Sequence, residues 1–158
     1  MRVLLLVAHP DDEILFGARD LLENETTVLC FTNKTTNRSK EFEQSMKLSD
    51  CSGFMLDLPD SMKESWSYIT DAELANKVFN LCDANYECIV SHDSFGEYGH
   101  VQHKRVHSVA TYISKEWAIP FYTFRERYSP VDPKKRDEIL HVYQSQKSSI
   151  ELFKNFFH

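Results

Sequence analysis

At 158 residues the chain is long enough for one domain with a sizeable core, and an apolar share of 42% with 13% aromatics excludes a disordered chain. Acids outnumber bases 24 to 18, for a net charge of −6, which argues against a nucleic-acid partner because phosphate backbones call for a basic face. No apolar run approaches the roughly 20 residues of a spanning helix. The apolar start "MRVLLLVAHPDDE" lacks a small-residue cleavage site and runs straight into acids, so it reads as a first strand and not as a signal peptide.

Strand and helix signals then alternate. Residues 2–8, "RVLLLVA", form the continuous apolar run of a strand buried on both faces. Ile14, Leu15, Ala18, Leu21 and Leu22 recur at helical spacing. A second strand is expected over 26–31, a polar loop "TNKTTNRS" follows, and a weakly periodic helix over 39–50 leads to a third strand at 53–58. Thr70 and Glu73 are spaced as a capping box before the apolar stripe of Leu74, Ala75, Val78, Leu81 and Cys82. The fourth strand is placed at 86–92, a helix at 100–114 and a fifth strand at 118–124, with one or two helices after "SPVDP". Strands separated by helices imply βαβ units and hence an α/β fold. The expected architecture is a Rossmann-like, three-layer domain over residues 1–158 with a mostly parallel sheet. Cys30, Cys51, Cys82 and Cys88 form no CxxC pair and sit in or beside apolar stretches. They read as reduced, buried thiols that bind no metal, as in a cytoplasmic protein.

Two polar clusters fall where strands end, the edge at which parallel sheets bind ligands. They are "HPDDE" after the first strand and "SHDSFGEYGHVQH" after the fourth. Taken alone, each has an ordinary explanation: a hydrogen-bonded core histidine with acids complementing a helix N-terminus, and a polar helix start carrying surface histidines. Taken together, two imidazoles and a carboxylate at one sheet edge make a three-ligand site with a position left open, the catalytic form of a zinc site. Neighbouring acids and imidazoles are then available for proton transfer. No GxGxxG follows the first strand, and its acids would repel a pyrophosphate, so a dinucleotide site is disfavoured.

These motifs resemble those of the PIG-L/LmbE-like zinc-dependent de-N-acetylases. The likeness extends to "NRSKEFEQSMKLSDCSGF", which is similar to that family's R-x-x-E helix, and to "VDPKKRDEILHVYQSQ", similar to its late helix ending in S-Q. The resemblance implies zinc ligation by His9, Asp12 and His103, Asp11 as general base, His100 as oxyanion stabiliser or proton donor to the leaving amine, and Arg38 as a substrate contact. Asp93 is assigned as a partner that orients a histidine. Glu13 is read as complementing a helix end, and His107 as structural or exposed. The implied activity is removal of the acetyl group from an N-acetylglucosamine-type amino sugar or its conjugate, a small-molecule partner. A zinc amidase acting on a non-sugar N-acyl substrate and a non-catalytic binding domain of the same fold are the alternatives. Gln102 stands where that family more often has an acid, and the chain is shorter than most members.

Overall fold

A computed structural model describes residues Met1–His158. Five parallel strands form one sheet: β1 (Arg2–Val7), β2 (Glu25–Thr32), β3 (Ser52–Leu58), β4 (Cys88–Ser91) and β5 (Phe121–Thr123), in the order β3-β2-β1-β4-β5. The helices are α1 (Asp12–Leu15), α2 (Ala18–Glu23), α3 (Arg38–Ser49), α4 (Asp71–Phe79), α5 (Gly96–Gly99), α6 (Val101–Trp117), α7 (Phe124–Arg127), α8 (Pro133–Leu140) and α9 (Lys147–Phe153). The sheet is wholly parallel where a mostly parallel one was expected.

Side chains of a strand alternate between faces, and β1 divides the core accordingly. Val3, Leu5 and Val7 belong to a cluster completed by Leu15, Leu21, Phe42, Phe124 and Ile139, whereas Leu4, Leu6 and Ala8 join Leu74, Val78, Val106 and Ile113. Both faces of β1 are therefore covered, which is why its sequence shows no polar alternation. Helices on both faces of the sheet make three layers.

The helical pattern expected from Ile14 to Leu22 is two short helices, broken at Phe16 and Gly17. Gly17 admits this break because a Cβ there would stand 3.0 Å from the Glu13 carbonyl oxygen and 3.1 Å from both Leu5 and Phe124. The fifth strand is shorter than expected, at three residues. All four cysteines are free thiols; Cys30, Cys82 and Cys88 are buried and Cys51 half-buried, and burial pushes their pKa values up. No helix is long and apolar enough to cross a membrane.

The chain leaves β1 toward β2 on one side and reaches β4 on the other, so β1 and β4 flank the topological switch point. Residues just past these two strands share one crevice, although more than 80 residues separate them in sequence.

The Thr70 box is formed: Oγ1 accepts from the Glu73 amide at 3.1 Å, and the Glu73 carboxylate accepts from the Thr70 amide at 3.4 Å. Thr70→Ala is expected to lower stability by about 1 kcal/mol, seen as a fall of about 2 to 4 °C in the thermal midpoint, with metal content unchanged.

Candidate metal and active site

β1 ends at Val7, and the chain turns through His9 and Pro10 into α1. Asp11, the residue before α1, has φ 115°, a backbone conformation rare for any residue but glycine. The turn holds because Glu13, fully buried, accepts from the Asp11 amide at 3.0 Å, from Ser45 Oγ of α3 at 2.9 Å and from the Tyr143 hydroxyl. Glu13 thus does more than complement a helix end: it ties the strained turn to two distant segments.

Three atoms converge beneath this turn. His9 Nδ1 lies 3.4 Å from Asp12 Oδ2, His103 Nε2 lies 3.3 Å from the same oxygen, and the two nitrogens are 3.3 Å apart. Nitrogen and oxygen ligands at 2.0 to 2.1 Å from a tetrahedral ion stand about 3.3 to 3.4 Å from one another. The triangle has the edge lengths of three such ligands, all three residues are buried, and the donor set is one that suits zinc.

Hydrogen bonds decide which ring nitrogens carry protons. The Gln102 amide nitrogen donates to the carbonyls of Pro59 and Glu64 at 2.8 and 2.7 Å, so its oxygen must be the atom 2.7 Å from His9 Nε2. That oxygen only accepts. The proton therefore sits on Nε2, and Nδ1 turns its lone pair into the triangle. The Glu97 carboxylate takes Nδ1–H of His103 at 2.8 Å and Nδ1–H of His92 at 2.6 Å. His92 Nε2 accepts from the Ala8 amide at 3.1 Å, which fixes its proton on Nδ1. His92, Glu97 and His103 also cluster closely enough to hold an ion, but there the facing imidazole nitrogens are spent as donors. The His9, Asp12 and His103 set offers lone pairs on His9 Nδ1 and Asp12 Oδ2, and on His103 Nε2 once that ring is neutral.

His100 is the first residue of the helix expected over 100–114. It is instead the residue that caps α6, with extended backbone, and its Nδ1 accepts from the Gln102 amide at 3.1 Å. Its Nε2–H remains a free donor. Burial, with His9 and His103 close by, pulls its pKa down to about 4, so the ring is neutral near pH 7. Burial raises the pKa of Asp11, with Asp12 adding to the effect and Arg38 opposing it. A cavity of about 100 Å³ brings together His9, Asp11, Asp12, Arg38, Asp60 and His100, with Tyr98 and Phe153 on its wall. Arg38 donates to Asp60 at 2.7 Å and to the Pro10 carbonyl at 2.6 Å, its Nη2 stands 3.9 Å from Asp11, and its buried Nε has no partner.

Asp93 does not orient a histidine. Its carboxylate accepts from the amides of Phe95 and Glu97 at 2.9 and 3.1 Å, and Glu97 is the acid that meets the rings. His107 is structural, its Nδ1–H donating to the His92 carbonyl at 2.8 Å. Three participants escaped the sequence reading: Glu97, Gln102 as a partner of His9, and Asp60, whose Oδ1 lies 3.4 Å from His9 Nε2. Their position was the available signal, since all lie in or beside segments that follow strand ends. The R-x-x-E and S-Q motifs also meet, for Glu41 accepts from the amide (2.9 Å) and the hydroxyl of Ser145.

The family described as "PIG-L: GlcNAc-PI de-N-acetylase" matches residues 4–114. The chain belongs to the PIG-L family. An uncharacterized protein of Acanthamoeba polyphaga mimivirus is 33% identical over 170 residues, covering 94% of this chain and 73% of its own. A deacetylase of the teicoplanin biosynthesis pathway, seen in a crystal structure, superposes with a TM-score of 0.73 at 13% identity, covering 95% of this chain and 86% of that one. A pseudoaglycone deacetylase associated with an antimicrobial reagent superposes with a TM-score of 0.67 at 12% identity, over 95% and 84% of the two chains. At such identities the superpositions speak for the fold. PIG-L membership supports a de-N-acetylase function, and PIG-L deacetylases are metal-dependent.

Glu97→Gln keeps the size of the side chain but supplies a single amide oxygen for two imidazole donors. Metal affinity is expected to fall about 10- to 100-fold, measured by competition with a chromophoric chelator. Unchanged affinity would show that Glu97 does not orient His103.

Proposed function

We propose that this PIG-L protein is a zinc-dependent de-N-acetylase that hydrolyses the acetamide of an N-acetylglucosamine-type amino sugar or its conjugate. The observation that carries the reading is a triangle of ligand atoms at tetrahedral spacing, two of whose residues, His9 and Asp12, line one small cavity with a buried carboxylate and a neutral imidazole donor. His9, Asp12 and His103 would hold the ion; when bound, it would polarise the amide carbonyl and make water more acidic.

The proton work falls to Asp11 and His100. Asp11 accepts a proton from the attacking water, and the raised proton affinity that burial gives it suits a general base. His100 offers Nε2–H to the oxygen that becomes negative as the carbonyl carbon turns tetrahedral. Collapse breaks the C–N bond; the amine leaves with the proton that Asp11 took up, and the acetic acid formed gives up the remaining water proton to solvent as acetate. Arg38 holds its place through Asp60 and Pro10, and its unpartnered Nε supports a role as substrate contact. About 100 Å³ is well below the roughly 300 to 1,000 Å³ of drug-sized sites, so the acetamide end enters and the carrier stays outside. Exposed Met62, on the wall, offers apolar surface for the carrier.

Two variants separate the neighbouring aspartates. Asp12→Ala is expected to lose zinc, because two imidazoles alone remain. Asp11→Asn is expected to keep zinc and lose about 100- to 10,000-fold in rate, since an amide cannot take up the water proton. Metal analysis and acetate release on a panel of N-acetylated amino sugars and simple N-acyl amides decide the matter. Zinc with activity only on the non-sugar amides would favour the amidase alternative. Zinc with no acetate from any of them would favour a binding domain, and full activity in both variants would refute the scheme.

Zinc binding should also depend on pH. Burial opposes the charging of His103, but Asp12 and Glu97 outweigh it and raise the pKa to about 10. At pH 7 a proton on Nε2 must therefore leave before that nitrogen can bind the ion. Affinity is expected to rise with pH, about tenfold per unit near neutrality, with close to one proton released per ion in calorimetry run in buffers of different ionisation enthalpy. Binding that is flat in pH would contradict this displacement.

A further inference from the structure

A second, larger cavity of about 240 Å³ opens next to the first, and Leu15 contributes to the walls of both. Its inner surface is apolar. Phe16 stacks on Phe124 at 6.3 Å and meets Phe157 edge-on at 6.0 Å. Its rim carries Arg19, Arg127, Arg136 and Lys154 against Asp20 and Asp137, an excess of cations in a protein whose net charge is −6.

The pairings show which of these charges are free. Arg127 is committed to Asp20 by two bonds, at 2.6 and 3.3 Å, and Lys154 pairs with Glu151 at 3.1 Å. Asp137 is exposed and solvated. Arg19 gives one N–H to the Arg127 carbonyl at 3.2 Å, and Arg136 gives one to the Lys154 carbonyl. Both guanidinium side chains are half-buried, and neither forms a salt bridge. Most of their N–H donors are unspent. Partly desolvated cations without a direct ion pair are costly, Asp137 acting on Arg136 only through space, and an anion binding there relieves the cost. Burial already pulls the Arg136 pKa below its ordinary value.

We propose that this cavity binds a small amphiphilic anion, with a carboxylate or phosphate head on Arg19 and Arg136 and a short apolar body against Phe16, Phe124 and Phe157. Its volume, below the roughly 300 to 1,000 Å³ of drug-sized sites, restricts the body to a short chain or a single ring. The proposal uses none of the groups assigned to hydrolysis and stands independently of that reading.

The test is titration of the full chain with octanoate and with phenyl phosphate, against 1-octanol and inorganic phosphate as controls, followed by calorimetry and by amide chemical shifts. At least one of the two amphiphilic anions is expected to saturate a single site, and which one does so identifies the head group. Shift changes should map to residues 15–20 and 124–137, not to 9–12 or 100–103. Both controls should bind at least tenfold more weakly. Arg19→Gln and Arg136→Gln should each weaken binding at least tenfold, with circular dichroism verifying the fold, so that either variant decides if the other is unfolded. Absence of saturation, equal binding of octanol or of inorganic phosphate, shifts confined to the histidine site, or indifference to both substitutions would overturn the proposal.

Discussion

The carboxylate of Glu97 is the interaction on which the site depends. It is buried, it accepts from two imidazoles and from the Asp93 amide at 2.8 Å, and this company lowers its pKa to about 2 against the cost of burial. An anion in that position dictates that both rings present Nδ1–H toward it. For His103 this leaves Nε2 facing Asp12 and His9; for His92 it leaves Nε2 to receive the Ala8 amide at the end of β1. One acid thus sets the tautomers of two histidines and fastens the segment after β4 to the segment after β1. The backbone reflects the constraint, since Glu97 itself has φ 58°. It and Asp11 both occupy the left-handed region within the site, and such strain persists only where surrounding bonds over-determine it.

The sheet makes this junction possible. Because β1 pairs with both β2 and β4, its carboxyl end lies beside that of β4 and at the point where the strand order reverses. Covering both faces of β1 with apolar side chains forbids polar groups along its length and delivers His9 at its first permitted position. The change from aliphatic run to charged cluster is therefore a consequence of burial as much as of chemistry. The same pattern holds for β4, four buried residues followed at once by His92 and Asp93.

That change was legible in the sequence because it is abrupt and local. His9, Asp12 and His103 lie within a few ångströms of one another, and Asp11 and His100 line a cavity with His9 and Asp12; residue type and strand-end position point to the two clusters, and the family resemblance to these five residues. What escaped depends on three-dimensional bonding. Asp93 and Glu97 stand on either side of the turn at Gly96, with φ 69°, and their spacing alone does not tell which carboxylate meets the rings. His100 falls within the helix expected over 100–114, but its Nδ1 accepts the Gln102 amide as a cap and the helix starts one residue later. The break between α1 and α2 was hidden because helical periodicity runs through it, while the crowding at Gly17 that enforces it involves a strand and a helix remote in sequence.

Gln102 shows how a departure from a family pattern can be explained by its surroundings. An acid at this position would accept from His9 Nε2–H as the amide oxygen does. It would be unable to donate to the carbonyls of Pro59 and Glu64, and both would lose the partner they have in Gln102. Those carbonyls bracket the segment that carries Asp60 into the cavity, and Trp66, fully buried against Phe31 at 6.0 Å, follows it into the core. The Ser61 amide reaches the Gln102 oxygen at 3.3 Å and closes the same loop. Glutamine therefore meets two demands, a pure acceptor on one side and two donors on the other, that a carboxylate cannot satisfy together. It also avoids adding another buried anion beside Asp11, whose proton affinity burial already raises, with Asp12 and Glu13 adding to the effect. The loop in this chain and the amide at residue 102 fit each other: a carboxylate there would leave the Glu64 carbonyl without the donor it has in Gln102, while the Pro59 carbonyl would keep Trp66 Nε1–H at 2.9 Å.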